Sequence, residues 1–171
     1  TRSAAGRDWK CPTTASVWRQ LTQYLWPEVH KWARQLDFSA LGIRPWTRME
    51  LFSLHLRLRG GEAFAVASRD PAKIEGAHAD SLLYLFDEAA GIHSTIWERG
   101  EGFYTELNPY RFWLAASQMR NRQGRFYEIF NDAQMGSGWR RQTLSTRGMP
   151  GIDQSVVEDQ IRRYGPDSDF V

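Results

Sequence analysis

The sequence has a single cysteine, three lysines, and no apolar run approaching the roughly 18 residues that mark a membrane-spanning helix. Cys11 alone excludes an internal disulfide framework and a cysteine-based zinc site, and so sparse a use of cysteine fits a reducing compartment. No G-x-x-x-x-G-K-[ST] loop occurs. The glycine clusters Gly60-Gly61 and Gly136-Ser137-Gly138 have no lysine after them, so neither can cradle phosphates in that way. His30, His55, His78 and His93 lack H-E-x-x-H spacing, which leaves capping or surface roles ahead of metal ligation. A G-x-S-x-G elbow is missing too, and Cys11 has no evident histidine partner, so nucleophilic hydrolase chemistry finds no support. Repeats and low-complexity segments are also lacking.

What is present is ordinary for a folded chain. It has 171 residues, of which 42% are hydrophobic and 25% charged, enough for one globular domain with a core. The net charge of +2 says little about partners. The basic residues are less ordinary, with 19 arginines among the 22. Arginine suits bidentate phosphate contact, although codon usage in a GC-rich genome gives the same excess. From Arg111 to Arg147 seven arginines face two acids, Glu128 and Asp132, a local charge of +5. Such a stretch points to nucleotide or nucleic-acid contact, or to a solvated basic face. The chain opens on Thr1 and closes on Phe170-Val171, and we expect it to be a piece of a longer protein.

Apolar runs alternate with helical segments. Thr13-Thr14 is expected to cap a helix through Trp18, Leu21, Tyr24 and Leu25. Pro27 predicts a kink or a fresh start, with Trp32 and Leu36 continuing the apolar face. Residues 50–58 alternate at period two, with Leu54, Leu56 and Leu58 on one face. Gly60-Gly61 then turns the chain into a second strand at 63–67, which makes a β-hairpin near 50–67. Leu82-Leu83-Tyr84-Leu85-Phe86 and Phe112-Trp113-Leu114-Ala115-Ala116 are unbroken apolar runs of strand length, as in strands buried on both faces. A helix is expected from Gly124, a further strand over 139–144, and a closing amphipathic helix over 153–164. The pattern predicts an α/β fold with a mostly parallel sheet flanked by crossover helices.

Asp87-Glu88, directly after the first buried run, is the strongest chemical signal. Ligands of open α/β sheets sit outside the carboxyl ends of the strands. There Asp87 would hold magnesium through water, and Glu88 would orient the water that attacks a γ-phosphate. A helix N-terminus that simply favours acids explains the same pair. His78 is expected near the sheet edge beside the nucleotide, or as a turn histidine bonded to backbone. Arg125 is expected either to reach phosphate, in its own subunit or across an interface, or to anchor Glu128. The eight tryptophans, at 18, 26, 32, 97, 113 and 139 among others, are spaced for core packing rather than base stacking, and exposed ones could mark an assembly face.

In chain order, Pro12-Thr13-Thr14 ahead of Trp18-Arg19-Gln20-Leu21, the segment Ala67-Ser68-Arg69-Asp70-Pro71-Ala72-Lys73-Ile74-Glu75-Gly76-Ala77-His78, the acidic strand with Ala89-Ala90-Gly91-Ile92 after it, Gly124-Arg125-Phe126-Tyr127, and Tyr164-Gly165-Pro166-Asp167-Ser168-Asp169 resemble the large terminase subunit of tailed bacteriophages. The resemblance spans nearly the whole chain. It implies a partial RecA-like P-loop NTPase core at 1–171, with the phosphate-binding loop upstream of Thr1 and a nuclease domain after Val171. The intact protein would bind ATP and Mg2+ and hydrolyse the nucleotide. It would assemble as a homo-oligomeric ring with the portal protein and the small terminase subunit, and drive double-stranded DNA into a capsid in the cytoplasm of a bacterial host, with no membrane partner. The resemblance makes Asp87 the magnesium-binding acid and Glu88 the catalytic one. It puts Ser117-Gln118 where the family couples hydrolysis to movement; Gln118-Met119 departs from the Asn-Pro frequent there. Lacking the loop, the chain by itself is expected to be inactive. Two alternatives stay open: a different P-loop ATPase such as a helicase, and a non-catalytic prophage remnant that binds DNA or a partner.

Overall fold

The computed structural model describes residues 8–67, 77–102, 110–119 and 122–166. The chain divides into two compact units, Thr1–Ser117 and Gln118–Val171.

The first unit is built on a six-stranded sheet. Its strands are β1 (Trp9–Ala15), β2 (Leu51–Phe52), β3 (His55–Leu58), β4 (Gly61–Ala65), β5 (Ser81–Asp87) and β6 (Arg111–Ala116), in the spatial order β2-β3-β4-β1-β5-β6. The pairs β1–β4, β1–β5 and β5–β6 are parallel, and β2–β3 and β3–β4 antiparallel. The fold is therefore mixed α/β with a mostly parallel sheet, and the hairpin turns at Gly60, whose φ of +82° suits glycine.

Helices cover both faces. After β1 the chain winds through α1 (Trp18–Gln20), a π-helical turn (Leu21–Leu25) and α2 (Trp26–Ala33). The helix type changes beside Pro27, which brings no amide hydrogen to the ladder, and the Trp26 N–H reaches back to the Leu21 carbonyl. Leu21 and Trp26 pack with Ala15 and Leu56 into one core cluster, with Leu25, Val29, Ala63 and Ala65 against it. On the opposite face lies α3 (Ser94–Gly102), which buries Ile96, Trp97 and Gly100. Trp97 stacks on Trp113 of β6 at 5.1 Å, and Phe86 of β5 meets both indoles edge-on, at 4.9 and 4.8 Å. A Cβ added at Gly100 would fall 2.6 Å from the Trp113 ring, so only glycine lets α3 approach this closely.

Several sequence expectations are corrected. Thr13 and Thr14 cap no helix; both are buried in β1, with their hydroxyls on the Phe64 and Val66 carbonyls at 3.2 and 3.0 Å. Residues 50–58 break into two short strands at a turn over Ser53-Leu54. Trp32 and Leu36 are exposed, because the buried face of α2 runs through Trp26 and Ala33 instead. β5 lies between two parallel neighbours as expected, but β6 alternates, with Phe112 and Leu114 exposed. Of the tryptophans, Trp26 and Trp97 are buried, whereas Trp18 and Trp32 are exposed.

In the second unit α4 (Arg125–Asn131) and α5 (Gln154–Tyr164) fall where helices were expected. Asp153 caps α5, accepting from the Ser155 N–H at 3.0 Å and its hydroxyl at 2.7 Å, which holds the Asp153 carboxyl below its ordinary range. The strand expected over 139–144 does not form: those residues adopt no regular structure. No helix among the described residues is long and apolar enough to cross a membrane.

Candidate functional site

Three parallel strands end side by side. Ala15 of β1 and Ala116 of β6 are the register partners of Asp87, the last residue of β5. Small side chains at both neighbouring ends leave room around the carboxylates, and Asp87 and Glu88 are each half-buried.

Glu88 has φ +48° and ψ +48°, the one non-glycine residue with positive φ among the described residues. The left-handed conformation turns the chain sharply off β5 into the 3-10 turn Ala89–Gly91. The Glu88 N–H donates to Asp87 Oδ1 at 3.1 Å, and the Ser117 hydroxyl, just past the end of β6, donates to Glu88 Oε2 at 3.4 Å. Asp87 is thus held by the backbone of its own neighbour, and Glu88 from the β6 side of β5.

A further residue was not expected. Ser16, just after β1, packs against the turn that follows Glu88: a Cβ on Gly91 would stand 2.7 Å from the Ser16 Cβ. With residues 13–14 read as a helix cap, nothing in the sequence pattern pointed to Ser16 at this end of the sheet.

Other candidates lie elsewhere or are otherwise engaged. His78 is exposed and precedes β5, so the seven-residue strand separates it from Asp87 by about 20 Å. Arg125, in α4, pairs with Glu128 at 3.8 Å and donates to the Met135 sulfur at 2.9 Å. Gln118 is exposed at the start of the second unit. Cys11 is half-buried within β1, and burial pushes its thiol up to about 11, which favours the protonated form at neutral pH. A pocket of about 300 Å³, lined by Trp9, Lys10, Gly61 and Glu62 among others, opens at the amino end of β1, away from the acids. Residues 68–76 and 167–169, which carry part of the terminase resemblance, lie outside the described residues.

The donor set suits a hydrated hard cation: two carboxylates and a hydroxyl, all oxygen. No group of three or more His, Cys, Asp or Glu side chains that could enclose a metal occurs among the described residues. Magnesium tolerates such a site, because it keeps several waters and takes its remaining ligands from substrate phosphates. No known protein family matches the chain, and no characterised protein or solved structure is detectably similar to it.

Proposed function

We propose that the chain is a segment of the ATPase core of a viral DNA-packaging motor, a large terminase subunit. The intact protein hydrolyses ATP to move double-stranded DNA into a capsid. The observation that carries this reading is the Asp87-Glu88 pair at the carboxyl end of a strand with two parallel neighbours, with Ser117, just past the end of β6, on the Glu88 carboxylate. The order of the short motifs along the chain supports it.

Phosphoryl transfer asks a protein mainly for positioning and charge stabilisation. When bound, magnesium supplies neutralisation of phosphate charge. Asp87 holds the hydrated ion. Glu88, fixed by the Ser117 hydroxyl and by the sharp turn it occupies, orients a water and takes its proton. The roles that the resemblance gives to Gln118 and Arg125, contact with the γ-phosphate or its water, belong to the same proposal.

The test is the Glu88→Gln substitution in the intact protein. It keeps the size and the hydrogen bond of the side chain but removes the base. Steady-state ATP turnover should fall by about 100-fold or more, while nucleotide binding persists. Unchanged turnover would sink the catalytic assignment.

A further inference from the structure

Between Asp132 and Asp153 the chain holds Arg140, Arg141 and Arg147 and no acid. Residues 140–153 are all exposed and form no regular secondary structure. Such a segment is usually slack, but this one is tied down at two points. The Arg141 guanidinium donates to the carbonyls of Ile129 and Phe130 near the end of α4, at 3.4 and 3.1 Å. Gln154, in the first turn of α5, accepts from the Gly148 N–H at 2.8 Å and donates to the Thr146 carbonyl at 3.2 Å. Arg141 and Gln154 therefore act as anchors, and the side chains of Arg140 and Arg147 have no acidic partner among the described residues.

We propose that this anchored loop is a nucleic-acid backbone surface, with Arg140 and Arg147 contacting phosphates. Guanidinium groups bind phosphate bidentately. The residues between them, Gln142, Thr143, Ser145 and Thr146, are the short polar donors that make the rest of the phosphate contacts in protein–DNA complexes. Binding an anionic membrane surface through an amphipathic helix with a broad apolar face is not open to residues 140–153, which form no helix. A loop held at both ends also presents its cations without a large ordering cost. That the nucleic acid is double-stranded DNA rests on the packaging function proposed above; the charge, exposure and anchoring stand without it.

The experiment is a fluorescence-anisotropy titration of the full 171-residue chain against a labelled duplex of about 30 base pairs, between about 50 and 200 mM salt. Two double variants remove the same charge: Arg140→Ala with Arg147→Ala, and Arg162→Ala with Arg163→Ala. The second pair is exposed on α5, where both side chains meet Asp159. The loop variant should weaken binding and reduce the slope of log affinity against log salt by about two, near 0.9 per lost phosphate contact. The helix variant should leave the slope in place. Equal losses in both variants, an unchanged loop variant, no duplex binding by the wild-type chain, or tighter binding to phosphatidylserine vesicles than to duplex each overturn the proposal. None of these outcomes bears on ATP turnover in the Glu88→Gln protein, so the two readings fail separately.

Discussion

At the scale of single residues, the informative feature is a backbone angle. A glutamate in the left-handed region places Cβ against its own backbone at a cost of about 1–2 kcal/mol. Glu88 keeps that conformation because Gly91 packs on Ser16 and the Ser117 hydroxyl holds the carboxylate. Strain retained at this residue accords with the catalytic role proposed for Glu88. Glu88→Gly should therefore make the chain more stable to urea by about 1 kcal/mol while abolishing turnover in the intact protein. A loss of stability on this substitution would mean that the carboxylate contributes to the fold. Asp87 and Glu88 were legible as a pair because two acids after an unbroken apolar run stand out. The strain and the Ser16 contact were not legible. They arise from residues distant in sequence that meet only when the parallel ladder brings their strand ends together.

At the scale of elements, β6 carries the clearest test. Its side chains alternate: Trp113 faces α3, stacked on Trp97, whereas Phe112 and Leu114 are each 56% exposed. Two adjacent aromatics in one strand should thus respond very differently. Trp113→Ala removes a ring from the Phe86, Trp97 and Tyr84 cluster and should cost about 3–5 kcal/mol. Phe112→Thr, which puts a β-branched residue of good strand propensity on an open face, should change stability by less than about 0.5 kcal/mol. Urea unfolding monitored by tryptophan fluorescence distinguishes the two, and similar losses would place Phe112 in a packed environment. The apolar run made β6 recognisable as a strand but not as an alternating one, since apolar residues on both faces hide the period. β1 was missed for the opposite reason. Thr13 and Thr14 look like a cap, yet Phe64 of β4 and Val66 just after it supply carbonyls for the two hydroxyls, and Trp26 Nε1 donates to Thr13 Oγ1 at 3.0 Å. Burial of a polar strand is tolerable when each hydroxyl is bonded, and only the partner strand reveals that.

For the whole molecule, a mostly parallel sheet flanked by helices was legible in the alternation of runs and helices, but its strand count and order were not, because β1 reads as a helix cap, residues 139–144 form no strand, and the order depends on which parallel strands pair. The order sets a charge problem at the carboxyl edge. Asp87 and Glu88 stand half-buried there with no lysine or arginine bonded to them among the described residues, and the sequence holds no phosphate-cradling glycine loop. Two carboxylates repel a triphosphate unless magnesium and a cationic, N–H-rich cradle oppose them. An ATPase built on this edge must therefore take its cradle from outside the 171 residues. The gene should encode a G-x-x-x-x-G-K-[ST] motif within about one βα unit, on the order of 30–60 residues, before Thr1. Reading the flanking coding DNA checks this directly. A start codon close to Thr1 with no such motif would leave the acids without a nucleotide to act on, and the chain would then be a remnant whose remaining activity is binding.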